Sequence, residues 1–242
     1  MDFERAKAIL IEAAQAAALE EYEIFYTDFD DVSTETLKNE ISSFSSGKGR
    51  GIGFRCIING RMGSASTEYF EENELKEIVS RAVANAEVIE SDDPAIIFEG
   101  SEKYEEIEIK KFDLPSSAYI RELALKLQGE TYAQSEFVTD GTQSGVFASK
   151  IRYALANSKG LSLSNEVGYA GAYVQAVVNK NDEAQEAFDF KLGLSDTEGL
   201  SAKATDEALS KLGAKGIASG KYKLIIDGKQ MRSLLSTFSS VS

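Results

Sequence analysis

The side chains that most often carry out catalysis are scarce in this sequence. Its 242 residues include no histidine and a single cysteine, Cys56. Histidine is the commonest zinc ligand and general base, and it activates nucleophiles in many hydrolases. Cys56 has no histidine to activate it, and one cysteine closes neither a disulfide nor a cysteine-based zinc site. The composition therefore excludes most simple hydrolase and zinc-enzyme mechanisms for this chain alone.

Two short segments contain residue types that bind ions. Asp28, Asp30 and Asp31 offer carboxylates to a hard cation such as calcium. The segment lacks the glycine and the distal glutamate of an EF-hand loop, so a solvated strand end is favoured. Gly47–Gly53 (GKGRGIG) invites comparison with a phosphate loop, but it lacks the GxxxxGK[ST] spacing and precedes a strand. A flexible turn is the favoured interpretation.

Two further sets of residues have a structural and a functional interpretation. Arg55 falls on the face opposite Phe54, where a solvated or cross-strand-paired arginine is favoured over a contact to a substrate or partner. Tyr169, Gly171 and Tyr173 alternate on one face of a predicted strand. Ordinary sheet packing is favoured for them, and the alternative is an open edge or cleft wall to which an extended peptide adds as a strand.

The composition also restricts partners and location. The net charge is 26 − 40 = −14, which repels phosphates and anionic lipid, so we expect no direct nucleic acid or membrane binding. A docking face for a basic partner is the minority interpretation of this charge. The first residues lack a signal-peptide pattern, and the apolar runs are too short to span a membrane. We therefore expect a soluble protein of the reducing cytoplasm.

The first half of the sequence has a pattern of helix, antiparallel strands and helix. Asn59-Gly60 is its strongest turn signal, because both residues of such a two-residue hairpin turn need positive φ. The predicted elements are a helix from Asp2 to about Glu20, a strand at Tyr22–Tyr26, an extended segment around Ile41 and Phe44, strands at Ile52–Ile58 and Arg61–Ser66, and a helix from about Glu72.

The second half repeats this order after an acidic crossover at 91–113. The predicted elements are a helix from Ser116 or Ser117 with a possible stop at Gly129, extended segments at 136–146, 147–156, 168–179 and 185–192, and a helix that Ser201 caps and Gly213 stops. The pattern predicts an α+β fold of antiparallel sheets with helices packed on them. It also suggests an internal duplication of a helix–strands–helix unit, with halves at 1–90 and 114–214.

The final residues are expected to start a separate domain. Lys221–Asp227 has the pattern of a short strand, and Gly228–Val241 has the pattern of a helix in which the chain stops. The sequence therefore predicts a first domain over 1–220, and 221–242 as the start of a truncated C-terminal domain.

Three segments in the same order resemble the TldD/PmbA family, whose members are often labelled modulators of DNA gyrase. The segments are Gly51–Arg55 with Asn59–Thr67, then Asn157–Leu161, and last Ala218–Asp227. The resemblance covers the whole chain and implies the N-terminal portion of a cytoplasmic protein linked to zinc-dependent proteolysis of unfolded peptides and to maturation of a peptide antibiotic.

The resemblance also gives the missing histidines a position. TldD-type members carry HExxxH on the helix that follows the last of these segments, whereas PmbA-type members, also called TldE, lack it. Here Ser236 and Val241 stand at the two histidines and Thr237 at the glutamate. None of the three replaces its counterpart, since serine and valine do not bind zinc and threonine is no carboxylate base. The resemblance is therefore to the PmbA type.

What this implies for function is a subunit without catalytic residues or a metal of its own. The expected partner is a TldD-like subunit that holds zinc in a heterodimer, with self-association as the alternative, and the expected substrate is an extended peptide. A second hypothesis is a protein-binding modulator of DNA gyrase or of a toxin–antitoxin system. A third is an enzyme whose active site lies entirely in a C-terminal half.

Overall fold

The computed structural model describes residues 1–90, 94–101, 103–105, 108 and 111–239. This part of the chain forms five helices and six strands, and the strands of both halves join one antiparallel sheet rather than separate sheets. The predicted α+β class is confirmed. The helices are α1 (Phe3–Ala16), α2 (Glu72–Val88), α3 (Ser117–Gln134), α4 (Leu200–Ser210) and α5 (Gly228–Ser239).

The sheet places the two halves of the chain side by side. Its strands are β1 (Glu21–Leu37), β2 (Glu40–Ile58), β3 (Arg61–Thr67), β4 (Gln143–Asn157), β5 (Ser162–Lys180) and β6 (Glu183–Leu192). Their order is β3-β2-β1-β4-β5-β6, so the halves meet where β1 pairs with β4. Each half supplies a helix, three strands and a helix, and the internal duplication stays a prediction.

Three of the hairpins close through two-residue turns with positive φ. Asn59 and Gly60 have φ of 51° and 76°, as the sequence predicts. Asn181 and Asp182 form the equivalent turn between β5 and β6, with φ of 54° and 63°. A third turn, at Lys38-Asn39, joins β1 to β2 and carries no glycine. These turns match the twist of the strands they join.

The helices α1 to α4 cover one face of the sheet and form two separate apolar clusters. In the first, α1 and α2 pack on β1 and β2 around residues such as Leu10, Phe54 and Ile78. In the second, α3 and α4 pack on β4, β5 and β6 around residues such as Leu127, Val174 and Leu200. The opposite face, which we call the open face, carries the alternate side chains of every strand.

A row of charged side chains separates the two clusters on the helix-covered face. We call it the charged belt; its members are Arg50, Asp28, Arg152 and Glu166 in one cross-strand row and Lys48, Asp30 and Lys150 in the next. The signs alternate along each row. Arg152 Nε lies 3.0 Å from Asp28 Oδ1, Lys48 Nζ 2.6 Å from Asp30 Oδ2, and Lys150 Nζ 2.9 Å from Glu166 Oε1. Opposite charges on neighbouring strands thus keep the strands paired where no apolar core covers them.

Several predicted element boundaries are wrong. The first helix ends at Ala16 instead of about Glu20, because the chain turns at Ala18, whose φ is 52°. Gly129 does not stop α3, which is held by buried side chains such as Leu127 on either side of it and runs on to Gln134. The segments at 136–146 and 147–156 share one strand, β4, which begins at Gln143. Ser201 lies inside α4 instead of capping it.

The chain divides into two compact units, Met1–Leu212 and Gly213–Ser242. The predicted strand at Lys221–Asp227 is wrong, because no strand in the described residues pairs with it and an unpaired strand is not stable in water. The predicted helix is present as α5, and its apolar residues Met231, Leu234, Leu235 and Phe238 are exposed. The predicted domain boundary between 220 and 221 stays a prediction.

Candidate functional site

The open face of the sheet exposes an unusual number of large apolar side chains. Eight of them keep between 39% and 69% of their surface exposed: Phe25, Phe29, Tyr153, Leu163, Val167, Tyr169, Phe188 and Leu192. Contiguous apolar surface on a folded protein marks sites that bind ligands or other proteins. This face is therefore the first place to look for function.

Residues 94–101 and 103–105 cross the open face and turn part of it into a cleft. Asn157 Nδ2 donates a hydrogen bond to the carbonyl oxygen of Phe98 over 2.7 Å, and the Ala95 N–H donates to the Gly60 carbonyl over 3.3 Å. These bonds anchor the first part of this stretch, at Ala95 and Phe98, to the sheet. Phe98 and Tyr104 consequently form walls of the space beneath it.

The cleft consists of three adjoining cavities that share Phe25. Their volumes are about 660, 560 and 480 Å³, within the range of ligand sites in proteins. The first lies over β2 and β3, the second opens towards Glu68 and Arg81, and the third lies against β4 and β5 beside Tyr153 and Leu163. From β3 to β5 the cleft crosses four strand spacings, or about 19 Å.

Small residues make the floor of the cleft. Gly51 and Gly53 of β2 and Ser64 and Ser66 of β3 line it. A Cβ atom added to Gly53 would have its nearest neighbours at 3.9 Å, so a larger side chain would extend into the cleft instead of clashing. The glycine-rich segment Gly47–Gly53 thus lies inside a strand, and both its favoured interpretation as a turn and its comparison with a phosphate loop are wrong.

An ion pair between a buried carboxylate and a half-exposed guanidinium lies at one end of the cleft. Glu23 is only 4% exposed and forms an ion pair with Arg55, its cross-strand neighbour, whose side chain stays 44% exposed. The prediction that Arg55 lies opposite Phe54 and pairs across strands is confirmed. The exposed N–H groups of the guanidinium can donate hydrogen bonds to carbonyl or carboxylate oxygens of a ligand.

The other residues considered from sequence do not form a reactive site. Cys56 is fully buried, and burial raises the pKa of its thiol, which opposes thiolate formation. Asp28 and Asp30 belong to the charged belt, whereas Asp31 projects from the opposite face of β1. The three carboxylates therefore do not converge on a calcium ion.

Tyr169, Gly171 and Tyr173 alternate on the open face as predicted, but Gly171 and Tyr173 do not lie at an edge. β4 and β6 flank both residues. The Tyr173 hydroxyl donates to Glu35 Oε1 over 2.9 Å, and burial together with this bond raises the pKa of Tyr173 to about 12. Packing within the sheet, the favoured interpretation, accounts for these residues.

The positions that match HExxxH lie on α5 or beyond the described residues. The Ser236 hydroxyl donates to the Arg232 carbonyl over 2.9 Å, and the Thr237 hydroxyl donates to the Ser233 carbonyl over 3.2 Å. Both side chains are thus bonded to their own helix, and neither suits zinc. Val241 lies outside the described residues. In the part of the chain that the structure describes, no three His, Cys, Asp or Glu residues come together as a metal site.

The arrangement suits binding. The cleft is lined by apolar walls, a small-residue floor, the Glu23–Arg55 ion pair and further charged side chains at Glu68, Glu74, Arg81 and Glu105. Sequence reasoning missed Phe25, Glu23, Phe98 and Tyr104 because the cleft forms only when residues 94–101 and 103–105 pack over strands distant in sequence. Among the described residues, no helix is long and apolar enough to cross a membrane.

Comparisons with known proteins agree with this architecture. The PmbA/TldA metallopeptidase domain 1 model matches residues 22–86, and the model of the central domain of the same family matches residues 110–212. No curated protein matches the sequence significantly.

Three solved structures share the fold at low identity. A candidate modulator of a DNA gyrase from Thermotoga maritima is 20% identical, with a TM-score of 0.79 over 90% of this chain and 50% of its own. A candidate modulator of DNA gyrase from Bacteroides thetaiotaomicron is 18% identical, with a TM-score of 0.82 over 99% of this chain and 57% of its own. TldE from Thermococcus kodakarensis is 22% identical, with a TM-score of 0.67 over 84% of this chain and 47% of its own. The chain spans about half the length of these proteins.

Proposed function

We propose that this chain, which belongs to the PmbA/TldD metallopeptidase family, acts as a peptide-holding subunit without zinc of its own. Its partner is a TldD-type subunit, in which zinc-activated water would cleave or mature an unfolded peptide. The chain would contribute the cleft on the open face of its sheet. The observation that carries the proposal is this cleft, with its apolar walls and its floor of small residues.

The dimensions of the cleft support an extended peptide as its ligand. An extended chain advances about 3.3 Å per residue, so about six residues span the 19 Å from β3 to β5. The small-residue floor leaves room for a backbone, and the cavities on either side of Phe25 provide apolar surroundings for side chains. Arg55 is the group in the cleft best suited to a peptide carbonyl or carboxylate.

The residues at the HExxxH positions support the division of labour between two subunits. The donor atoms of Ser236 and Thr237 bond to the α5 backbone, and the chain contains no histidine to take their place. We also propose a cytoplasmic location, which the presence of a single cysteine supports.

Cleavage of an unstructured peptide tests the proposal. The purified chain should be inactive and free of stoichiometric zinc, and a TldD-type subunit should restore chelator-sensitive cleavage. Stoichiometric zinc with cleavage by the chain alone would overturn the division of labour. Recovery of gyrase, and of no TldD-type protein, with the tagged chain would favour the gyrase-modulator hypothesis.

A pair of substitutions on one strand tests the role of the cleft. Gly53→Val places a side chain on the floor of the cleft, and we expect at least a tenfold loss of cleavage efficiency in the complex. The control Ser43→Val adds a branched side chain at an exposed position on the same face of β2 but outside the cleft. It should change the cleavage efficiency of the complex less than twofold. Equal effects of the two substitutions would refute the assignment.

A further inference from the structure

The second strand of the sheet is much longer than the strand that covers its outer side. β2 runs from Glu40 to Ile58, but β3 pairs only with Ile52–Ile58. Between Glu40 and Gly51, the inner side of β2 pairs with β1, and no strand in the described residues pairs with the outer side. We call the segment 44–50 the bare edge.

The direction of the backbone groups along the bare edge follows from the neighbouring hairpin. In a two-residue hairpin, the residues that flank the turn, Ile58 and Arg61, exchange both backbone hydrogen bonds. Even-numbered residues of β2 therefore point their N–H and C=O groups outward. The register with β1 is unbroken from Ile57 back to Ser43, so Phe44, Ser46, Lys48 and Arg50 do the same. No hydrogen bond from the described part of the chain reaches these outward groups.

The bare edge contains two basic side chains and no proline. Exposed edges are normally blocked by charged side chains such as lysine, by proline, by bulges or by covering segments, so this edge disfavours a basic strand and leaves an acidic one free to add. On the open face, the bare edge carries only the small residues Ser45, Gly47 and Gly49. The ring of Phe29 lies over Gly49, so that a Cβ atom added to Gly49 would be 2.5 Å from the ring. Lys48 and Arg50 are the charged residues of the edge, and both project from the helix-covered face.

The charge of this region selects the occupant. Residues 41–61 contain Lys48, Arg50, Arg55 and Arg61 and no acidic residue, within a chain of net charge −14. Lys48 pairs with Asp30 of β1 on its inner side, yet its side chain stays 79% exposed and can meet a further carboxylate. A second copy of the chain would bring the same large negative charge, which disfavours self-pairing. A strand added opposite Lys48 and Arg50 gains by placing carboxylates on their face and apolar side chains on the face of Phe29.

We propose that the bare edge binds an extended peptide segment with alternating acidic and apolar residues, as an added antiparallel strand that continues the line of β3. Backbone hydrogen bonds to Phe44, Ser46, Lys48 and Arg50 supply the binding affinity. The cationic side chains of Lys48 and Arg50 favour acidic residues on one face of the peptide, and Phe29 favours apolar residues on the other. This site is separate from the cleft and requires no zinc-bearing subunit, so it does not depend on the proposed function.

Amide hydrogen exchange of the isolated chain tests the site directly. The probe is the heptapeptide Glu-Val-Glu-Val-Glu-Val-Glu, blocked at both ends, and its affinity is measured by fluorescence anisotropy of a labelled copy. We expect slowed exchange at the outward amides of Phe44, Ser46, Lys48 and Arg50. The same peptide with lysine in place of glutamate should bind at least tenfold more weakly. Lys48→Glu should reverse this preference.

Substitutions and N-methylated peptides separate backbone pairing from charge attraction. Ser46→Pro removes an outward N–H and no bond to β1, so the fold should persist and binding should fall at least tenfold. Ser46→Ala keeps the N–H and should bind within twofold of the parent chain. Methylating the glutamate nitrogens should abolish binding, because opposite residues on one face share backbone bonds, whereas methylating the valine nitrogens should not.

The outcomes against the proposal are equally specific. Absence of binding, unchanged binding to Ser46→Pro, or protection confined to the cleft residues would each overturn it. Protection of 44–50 without peptide that grows with protein concentration, together with dimers in sedimentation, would assign the edge to a second copy instead. Loss of partner-dependent cleavage in Gly53→Val is independent of all these results.

Discussion

Gly63 is the position at which one added methyl group should do the most damage. It lies in β3 directly beneath α2, and a Cβ atom there would be 2.0 Å from the Ala82 carbonyl oxygen and 2.2 Å from the Ala86 nitrogen. Ordinary contact begins at 3.4 Å, so α2 would have to retreat by 3.4 − 2.0, or about 1.4 Å. Both neighbouring atoms belong to the backbone of α2, so no change of side-chain rotamer can relieve the clash.

The size of the effect follows from what the retreat disturbs. α2 carries Leu75, Ile78 and Val79 into the first apolar cluster, and a shift of this size opens gaps around all three. Overpacking by single groups costs about 1–3 kcal/mol, and a clash with rigid backbone exceeds that range. We expect Gly63→Ala to lower the free energy of unfolding by about 3–5 kcal/mol.

Urea denaturation followed by circular dichroism measures this change. The matched control is Gly53→Ala on β2, where the added Cβ meets nothing closer than 3.9 Å and the unfolding free energy should change by less than about 0.5 kcal/mol. If Gly63→Ala unfolds at the same urea concentration as the control with an unchanged slope, then α2 does not press on β3 as described and the reasoning fails.

Three further predictions concern polar groups. Gln128→Leu should lower the free energy of unfolding, measured in urea, by about 2–4 kcal/mol, because the buried Gln128 side chain accepts a hydrogen bond from the Asn39 N–H and donates one to the Thr142 carbonyl. The control Gln134→Leu, at an exposed position, should change the free energy of unfolding little. The pKa of Tyr26 is raised from 10.0 to about 12 by burial and by its bond to Asp28, so the unfolded chain loses this proton first and stability falls between pH 10 and 12. Tyr26→Phe should lose less stability than the parent chain between pH 9 and pH 11, and an equal loss would contradict the shift. Arg55→Ala should lower the free energy of unfolding by about 2 kcal/mol, because it leaves the Glu23 carboxylate buried and unpaired. In a double-mutant cycle, adding Glu23→Gln should restore most of the lost stability.

Local chemistry explains which parts of the fold the sequence predicts. Asn59-Gly60 marks its hairpin because these two residues tolerate positive φ, and Ser116 marks the start of α3 because its side chain accepts a hydrogen bond from the Tyr119 N–H. The turn at Lys38-Asn39 has no such signal. Lysine rarely adopts a φ of 54°, and the turn is fixed instead by tertiary contacts such as the bond from Asn39 N–H to Gln128.

The candidate site is less predictable because it depends on pairing between distant residues. Phe25 lies opposite Leu155 across the β1–β4 pair, 130 positions away in the sequence, and Phe98 reaches this region only through its bond to Asn157. No window of sequence contains these residues together. The glycine-rich segment Gly47–Gly53 was predicted to be a turn for a related reason. It pairs with β1 along its whole length, and this pairing makes it a strand despite the preference of glycine for turns.

The charged belt has a consequence for how the chain folds. Apart from Val32, each apolar cluster is built from one half of the sequence only, so each half can gather its own core through contacts that are close along the chain. The halves then join through β1 and β4, which are more than a hundred residues apart and meet mainly through backbone bonds and alternating charges. Contacts between such distant segments form slowly, because the loop between them must close first. We therefore expect two early folding units and a late, salt-sensitive docking step at the middle of the sheet.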